Sequence, residues 1–174
     1  GNPLAGDAQD AWLVDTSAPT ANFDPVTPNP RKTSLGSVTF AFSEAVTGVN
    51  LADLVLRRDG GANLLSGAET LDSPDGVHFT LAGLSALTAP EGSYVLYLVS
   101  SGSGIVDAAG NGLAADAELG WMVDLTAPHF TIVPVSPDPR STAVDEIEIV
   151  FSEAVSGFTL SDLSLSRNGS ATLL

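Results

Sequence analysis

Apolar and polar residues alternate along the chain in short segments that end at glycine, proline, asparagine or aspartate. In the clearest segment, Ser37–Ser43, the apolar residues Val38, Phe40 and Phe42 occupy every second position, as in a strand with one buried face. The same reading predicts six further strands, at residues 21–26, 53–57, 68–71, 77–81, 93–100 and 117–123. Turn sequences separate these segments, and no long stretch has a helical period. We therefore predict an all-β fold with about seven strands.

The strongest pattern in the chain is a repeat at an offset of 109 residues. Trp12-Leu-Val-Asp15 recurs as Trp121-Met-Val-Asp124, and Phe42-Ser-Glu-Ala-Val46 recurs as Phe151-Ser-Glu-Ala-Val155. At this offset residues 1–65 align with residues 110–174 without a gap, and 32 of the 65 pairs are identical. A period of this length is typical of whole domains in tandem, not of the short units that stack in a solenoid.

The repeat predicts how the chain is divided into domains. Residues 1–17 match the end of the repeat, so we expect them to form the last strand of a preceding unit. Residues 18–126 would then be one complete repeat, and residues 127–174 the first half of the next. The chain is expected to start inside one repeat and to stop inside another.

The repeated motifs resemble those of the bacterial immunoglobulin-like (Ig-like) tandem repeats found in large extracellular surface proteins and adhesins. The motifs that carry the resemblance are Val14-Asp-Thr-Ser-Ala-Pro19, Phe42-Ser-Glu-Ala-Val46 with Gly48, Leu51-Ala-Asp-Leu54 and Asp107-Ala-Ala-Gly-Asn111. The resemblance implies an immunoglobulin-like antiparallel β-sandwich, an extracellular or cell-surface location, tandem repetition and, frequently, calcium at domain junctions.

The composition narrows the choice of partners. Twenty-one acidic residues against six basic ones give a formal net charge of -15, which repels nucleic acid and anionic membrane surfaces. No run of about 18 apolar residues predicts a membrane span. The chain has no cysteine, so its fold depends on its core or on oxygen-bound metal. We expect no nucleic-acid partner and no membrane insertion, and we predict that the partners are neighbouring repeats of the same chain.

The Ig-like topology brings several acidic side chains together at one end of the domain. In that topology, the loop after the second strand and the loop between the sixth and seventh strands lie beside the incoming linker. Glu44 belongs to the first of these loops, and Asp107 and Asn111 belong to the second. Both loops should therefore meet Asp15 of the linker.

These four side chains are candidate ligands for calcium, which takes six to eight oxygens in irregular geometry. A cation would neutralise the repulsion between the carboxylates and stiffen the joint between domains. The alternative interpretation is that residues 107–111 form a turn closed by aspartate hydrogen bonds and that Glu44 is solvated. The next junction would repeat the site with Asp124 and Glu153.

No motif in the chain indicates catalysis. The two histidines, His78 and His129, lie far apart and have no metal-ligand or acid-base spacing. The sequence contains no Gly-x-Ser-x-Gly nucleophile motif, no phosphate-binding glycine loop and no zinc motif. We predict that the chain is not an enzyme, and that Trp12 and Trp121 pack at the end of a sandwich.

Three functions compete at this stage. The first is a structural or adhesive module, a spacer or stalk repeat in a large secreted or cell-surface protein. A closely related second function is self-association into fibres, with the chain as the subunit of an extracellular filament joined by strand exchange. The third is a carbohydrate-binding accessory domain of a secreted hydrolase, which would need an exposed aromatic platform.

Overall fold

A computed structural model describes residues 6, 9–167 and 169 of the chain. The chain divides into two compact units, Gly1–Leu125 (unit 1) and Thr126–Leu174 (unit 2). Among the described residues, unit 1 contains seven strands: β1 (Ala21–Phe23), β2 (Ser37–Phe42), β3 (Leu54–Arg58), β4 (Thr70–Asp72), β5 (His78–Ala82), β6 (Gly92–Leu98) and β7 (Ala117–Val123). Unit 2 contains β8 (Phe130–Ile132) and β9 (Ile149–Phe151). A short 3-10 helix lies at Leu51–Asp53 and another at Leu160–Asp162.

The seven strands predicted between residues 21 and 123 are all present, so the prediction of an all-β fold is confirmed. The largest difference is at β1, which ends at Phe23 instead of residue 26. The Asp24 N–H still donates to the Thr39 carbonyl, at 3.0 Å. Pro25 follows and has no N–H, so the ladder stops there.

Some expectations fall at the edge of the described chain. Residues 1–5, 7 and 8, predicted to belong to the last strand of a preceding repeat, lie outside the described residues, and residues 9–17 belong to no strand. Within the described ranges, no helix has the length and apolar character needed to cross a bilayer.

The strands of unit 1 form two antiparallel sheets. One sheet has the order β1-β2-β5-β4 and the other has the order β3-β6-β7. The longest ladder pairs all seven residues of β6 with β7, from Gly92 opposite Val123 to Leu98 opposite Ala117. Two sheets whose inner faces supply one common core form a β-sandwich-like fold.

Strict alternation along the strands decides which face is buried. In β2 the side chains of Val38, Phe40 and Phe42 are buried, and Ser37 and Thr39 between them are exposed. The Phe40 ring stacks on Phe79 of β5 with 5.4 Å between ring centroids. Each sheet therefore presents an apolar inner face and a more polar outer face.

A tyrosine and a tryptophan close one end of the core. Tyr94 of β6 stacks on Trp121 of β7, with 5.4 Å between centroids and 9° between ring planes. The Tyr94 hydroxyl donates to the Pro90 carbonyl at 2.7 Å, which satisfies its polar end while the ring is buried. Trp121 is buried as predicted, but the prediction is wrong for Trp12, which is exposed. Trp12 lacks the cover that β6 gives Trp121.

Unit 2 repeats the first elements of unit 1 at the same offset. The pair β8 and β9 has Phe130 opposite Phe151, and the residues 109 positions earlier, Ala21 and Phe42, are opposite one another in β1 and β2. The two 3-10 helices also begin 109 residues apart. Similar sequences have therefore produced the same local pairing twice.

The two units differ in how their apolar residues are covered. Leu56 is fully buried in unit 1, but Leu165, at the same position of the repeat, is 42% exposed. In unit 1 the sheet β3-β6-β7 covers the inner face of β2. In the described part of unit 2 only β8 and β9 form a sheet, so the equivalent face lies open.

This contrast gives a matched test of the core. We expect Leu56→Ala to destabilise unit 1 by about 2–5 kcal/mol, because it leaves a cavity in a fully packed site. We expect Leu165→Ala to change stability by less than about 0.5 kcal/mol, because its side chain is already largely solvated. Urea denaturation followed by the fluorescence of the buried Trp121 measures both. Equal effects of the two variants would contradict the packing described above.

Candidate metal centre

Two loops of unit 1 are held together at one end of the fold. The Thr47 N–H donates to the Val106 carbonyl at 2.8 Å, and the Val106 N–H donates back to the Thr47 carbonyl at 3.1 Å. Gly48 permits this close approach, because it has φ +90° and a side chain there would collide with the Gly104 carbonyl. This pairing brings Glu44, just after β2, near Asp107, between β6 and β7.

The linker that precedes β1 is fastened to the same end. Pro19 is fully buried, and its carbonyl accepts the Ala114 N–H at 2.9 Å. The Thr20 N–H donates to Ser43 Oγ at 3.0 Å, and the Ser43 N–H donates back to the Thr20 carbonyl at 2.9 Å. The sequence analysis did not assign a role to Ser43. Its presence in the repeated Phe-Ser-Glu-Ala-Val motif was the available signal, since the His129 N–H donates to Ser152 Oγ in the same way.

Three carboxylates meet where these segments converge. One oxygen each of Asp15, Glu44 and Asp107 lies within 4.8 Å of the others. Asp15 is exposed, Glu44 is half-buried and Asp107 is buried. We call these residues the carboxylate cluster. They form a group that could hold a metal ion, as the sequence predicted for Asp15, Glu44 and Asp107.

Asp107 organises the loop around it. Its Oδ1 accepts the N–H groups of Ala109 and Asn111, both at 2.8 Å, and its Oδ2 accepts Asn111 Nδ2 at 2.8 Å. These bonds use about three of the four lone-pair positions of the carboxylate, which leaves one for a cation. The hydrogen bond from the Asn111 side chain is the main factor that lowers the pKa of Asp107, so this residue stays ionised.

Asn111 lies in the cluster in a different role from the one predicted. Its Nδ2 donates both to Asp107 and to the backbone carbonyl of Asp15, the latter at 3.2 Å. The side chain therefore positions Asp107 and links the loop to the linker as a donor, and it contributes no oxygen to the cluster in this orientation. The turn with aspartate hydrogen bonds, offered as an alternative to a cation site, is thus present within the cluster.

Glu44 bears the electrostatic cost of the cluster. Desolvation of its carboxylate, and then the negative charges of Asp107 and Asp15, raise the pKa of Glu44. Asp15 is partly satisfied, because its Oδ1 accepts the Ser17 N–H at 2.9 Å. A divalent cation bound between the three carboxylates would reverse the unfavourable interaction at Glu44.

The second predicted site is not assembled in the described residues. Asp124 lies at the end of unit 1, where its N–H donates to the Arg31 carbonyl at 2.9 Å. Glu153 is exposed in unit 2. Within the described residues, neither of them belongs to a group of three carboxylates. The residue that would correspond to Asp107 in that repeat has no counterpart among the 174 residues of the chain.

Comparison with models of known protein families, with curated proteins and with solved structures finds no match. The functional assignment therefore depends on the geometry of the chain itself.

The raised pKa of Glu44 predicts a pH-dependent stability. At pH 7 without divalent cations Glu44 is charged and opposes folding, so Glu44→Gln should raise the melting temperature. As the pH falls through the raised pKa and then the ordinary value of 4.5, Glu44 in the wild-type chain takes up a proton and the advantage of the variant should disappear. Thermal melts in EDTA from pH 7 to pH 4 measure this difference. Glu118→Gln, on the exposed face of β7, is the control and should show no such trend.

Proposed function

We propose that this chain is a non-enzymatic extracellular module, an Ig-like repeat that acts as a spacer or stalk in a large secreted or cell-surface protein with an adhesive role. The observation that carries the proposal is structural recurrence: the pairing of β1 with β2 and the following 3-10 helix recur 109 residues later in β8, β9 and a second 3-10 helix. A domain built to be repeated end to end is suited to spanning distance.

The strand order supports the Ig-like part of this proposal. Immunoglobulin constant-type domains pack a sheet of order ABED against a sheet that contains strands C, F and G. Lettered in chain order, β1-β2-β5-β4 is ABED, and β3-β6-β7 is CFG. The Tyr94 side chain, near the start of the sixth strand, bonds back to the Pro90 carbonyl, as does the tyrosine corner of many such domains.

The carboxylate cluster supports control of stiffness at the joint. It includes Asp15 from the linker and Glu44 and Asp107 from the sandwich. We propose calcium as the occupant, because the ligands are all oxygens in an irregular arrangement, which suits a hard cation of flexible coordination. Bound calcium would tie the linker to the domain, and its loss would leave three like charges to repel one another.

The chemistry of the cluster also supports a structural role over a catalytic one. Carboxylates and one amide can hold a cation, and the acidic positions recur in the sequence at Asp124 and Glu153. Repetition along an array suits a series of joints better than a single active centre.

Calcium titration tests the proposal. We expect isothermal calorimetry to detect one calcium site in the chain, and calcium to raise the melting temperature reported by Trp121 fluorescence. Glu44→Gln should bind calcium at least tenfold more weakly, because it removes one carboxylate ligand. Asp72→Asn, on β4 and outside the cluster, is the matched control and should bind as the wild type does.

The sign of the effect of Glu44→Gln makes the test specific. In EDTA the variant should be more stable than the wild type, and in saturating calcium it should be less stable. A wild-type melting temperature that is the same in calcium and in EDTA would refute the cation-stiffened joint.

A further inference from the structure

Unit 2 exposes an apolar face whose counterpart in unit 1 is covered. Ile147 is 48% exposed, but Val38, at the same position of the repeat, is buried in the core. Ile149 and Phe151 of β9 are only half-buried, whereas their counterparts Phe40 and Phe42 are buried. The alternation of β2 assigns positions 147, 149 and 151 to the inner face of a sandwich. Exposed apolar surface of this kind marks an interaction site.

The chain also carries a strand-like segment without a partner strand. Residues 12–15, which we call the N-terminal segment, have the sequence Trp-Leu-Val-Asp, and residues 121–124 have the sequence Trp-Met-Val-Asp. In β7 the side chains of Trp121 and Val123 face the core and that of Met122 faces outward. In the N-terminal segment all three apolar side chains are exposed.

Unit 1 shows how such a segment is seated. The end of β7 lies parallel to the loop between β1 and β2, with Val123 paired to Arg31. The Arg31 N–H donates to the Met122 carbonyl at 3.0 Å, and the Arg31 carbonyl accepts the Asp124 N–H at 2.9 Å. The Met122 N–H donates to Asn29 Oδ1 at 2.9 Å. These bonds fix the register of the segment.

Unit 2 presents the receiving loop in the same conformation. Arg140, the counterpart of Arg31, donates from Nε to the Thr142 carbonyl at 2.9 Å and from Nη2 to Thr142 Oγ1 at 3.0 Å. Arg31 makes the same two bonds to Thr33, at 2.7 and 3.2 Å. Asp138 replaces Asn29 and retains a carboxylate oxygen as the acceptor. Because the loop is already in the receiving conformation, docking costs little reorganisation.

We propose that the N-terminal segment of one copy of the chain binds as a strand beside residues 138–140 of unit 2 in a second copy. In this register the Arg140 N–H donates to the Leu13 carbonyl, and the Asp15 N–H donates to the Arg140 carbonyl. The side chains of Trp12 and Val14 turn inward and cover part of the face that contains Ile147. Leu13 turns outward, as Met122 does in unit 1.

This contact joins two different surfaces of the same chain, so it is not self-closing and extends into a linear assembly. The inference rests on the proposed repeat function, and it identifies a second copy as the partner. Asp15 bonds through its backbone, so its side chain stays available to the carboxylate cluster of its own unit. The joint between copies thereby repeats the spacing of the joint within the chain.

Paired variants of the N-terminal segment test the donor side. We expect the full chain to form concentration-dependent dimers and longer species in sedimentation velocity, at 0.15 M salt to screen its net negative charge. Val14→Ser should raise the dissociation constant at least tenfold, and Leu13→Ser should leave it within about threefold of the wild type. Leu13 is 91% exposed and Val14 is 73% exposed, so nonspecific hydrophobic association would respond to Leu13 at least as strongly. Neither change touches the core of unit 1.

A second pair of variants tests the receiving face. Ile147 is 48% exposed and Val150 is 46% exposed, but the alternation places Ile147 on the inner face and Val150 on the outer face. We expect Ile147→Ser to weaken association and Val150→Ser to leave it unchanged. A synthetic peptide of residues 9–17 should compete with the full chain for unit 2.

Three outcomes would overturn the inference. They are a chain that stays monomeric at all concentrations, association that responds equally to the members of each pair, and a peptide that does not compete. A monomeric chain that binds calcium would refute only the assembly, and an assembling chain without calcium binding would refute only the cation-stiffened joint.

Discussion

The inner face of β2 is the constraint on which the rest of the structure depends. Alternation places Val38, Phe40 and Phe42 on one side of this strand, and their burial requires a second sheet across the core. Once β3, β6 and β7 supply that sheet, the loops that connect the strands are held at the ends of the sandwich. The carboxylate cluster is a consequence, because it forms where two such loops meet the linker.

The cluster balances two opposed electrostatic effects. Hydrogen bonds from the loop backbone and from Asn111 hold Asp107 in its charged form, and that charge raises the pKa of Glu44 nearby. A fold that keeps three acidic groups together, with a fully buried Pro19 to hold the linker in place, maintains a repulsion that a cation can relieve. We infer that this balance couples the stiffness of the joint to the ionic surroundings.

The two proposals depend on the same property of the molecule, which is that each joint is built from reusable parts. The seat of β7 beside Arg31 and the arrangement of the loop at Arg140 are one geometry at two places in the chain. A spacer needs that geometry within the chain, and a filament needs it between chains. Both proposals follow from a linker whose side chain serves one domain and whose backbone can serve another.

The sequence by itself determined the strands and their faces, because a period of two is a local property of successive residues. It also predicted that Asp15, Glu44 and Asp107 converge, through the assumed order of the strands. Only the tertiary structure decided that Asn111 acts as a donor, since the orientation of an amide depends on its neighbours in space. The same reason separates Trp121 from Trp12: their local sequences are nearly identical, and only the first has Tyr94 to pack against.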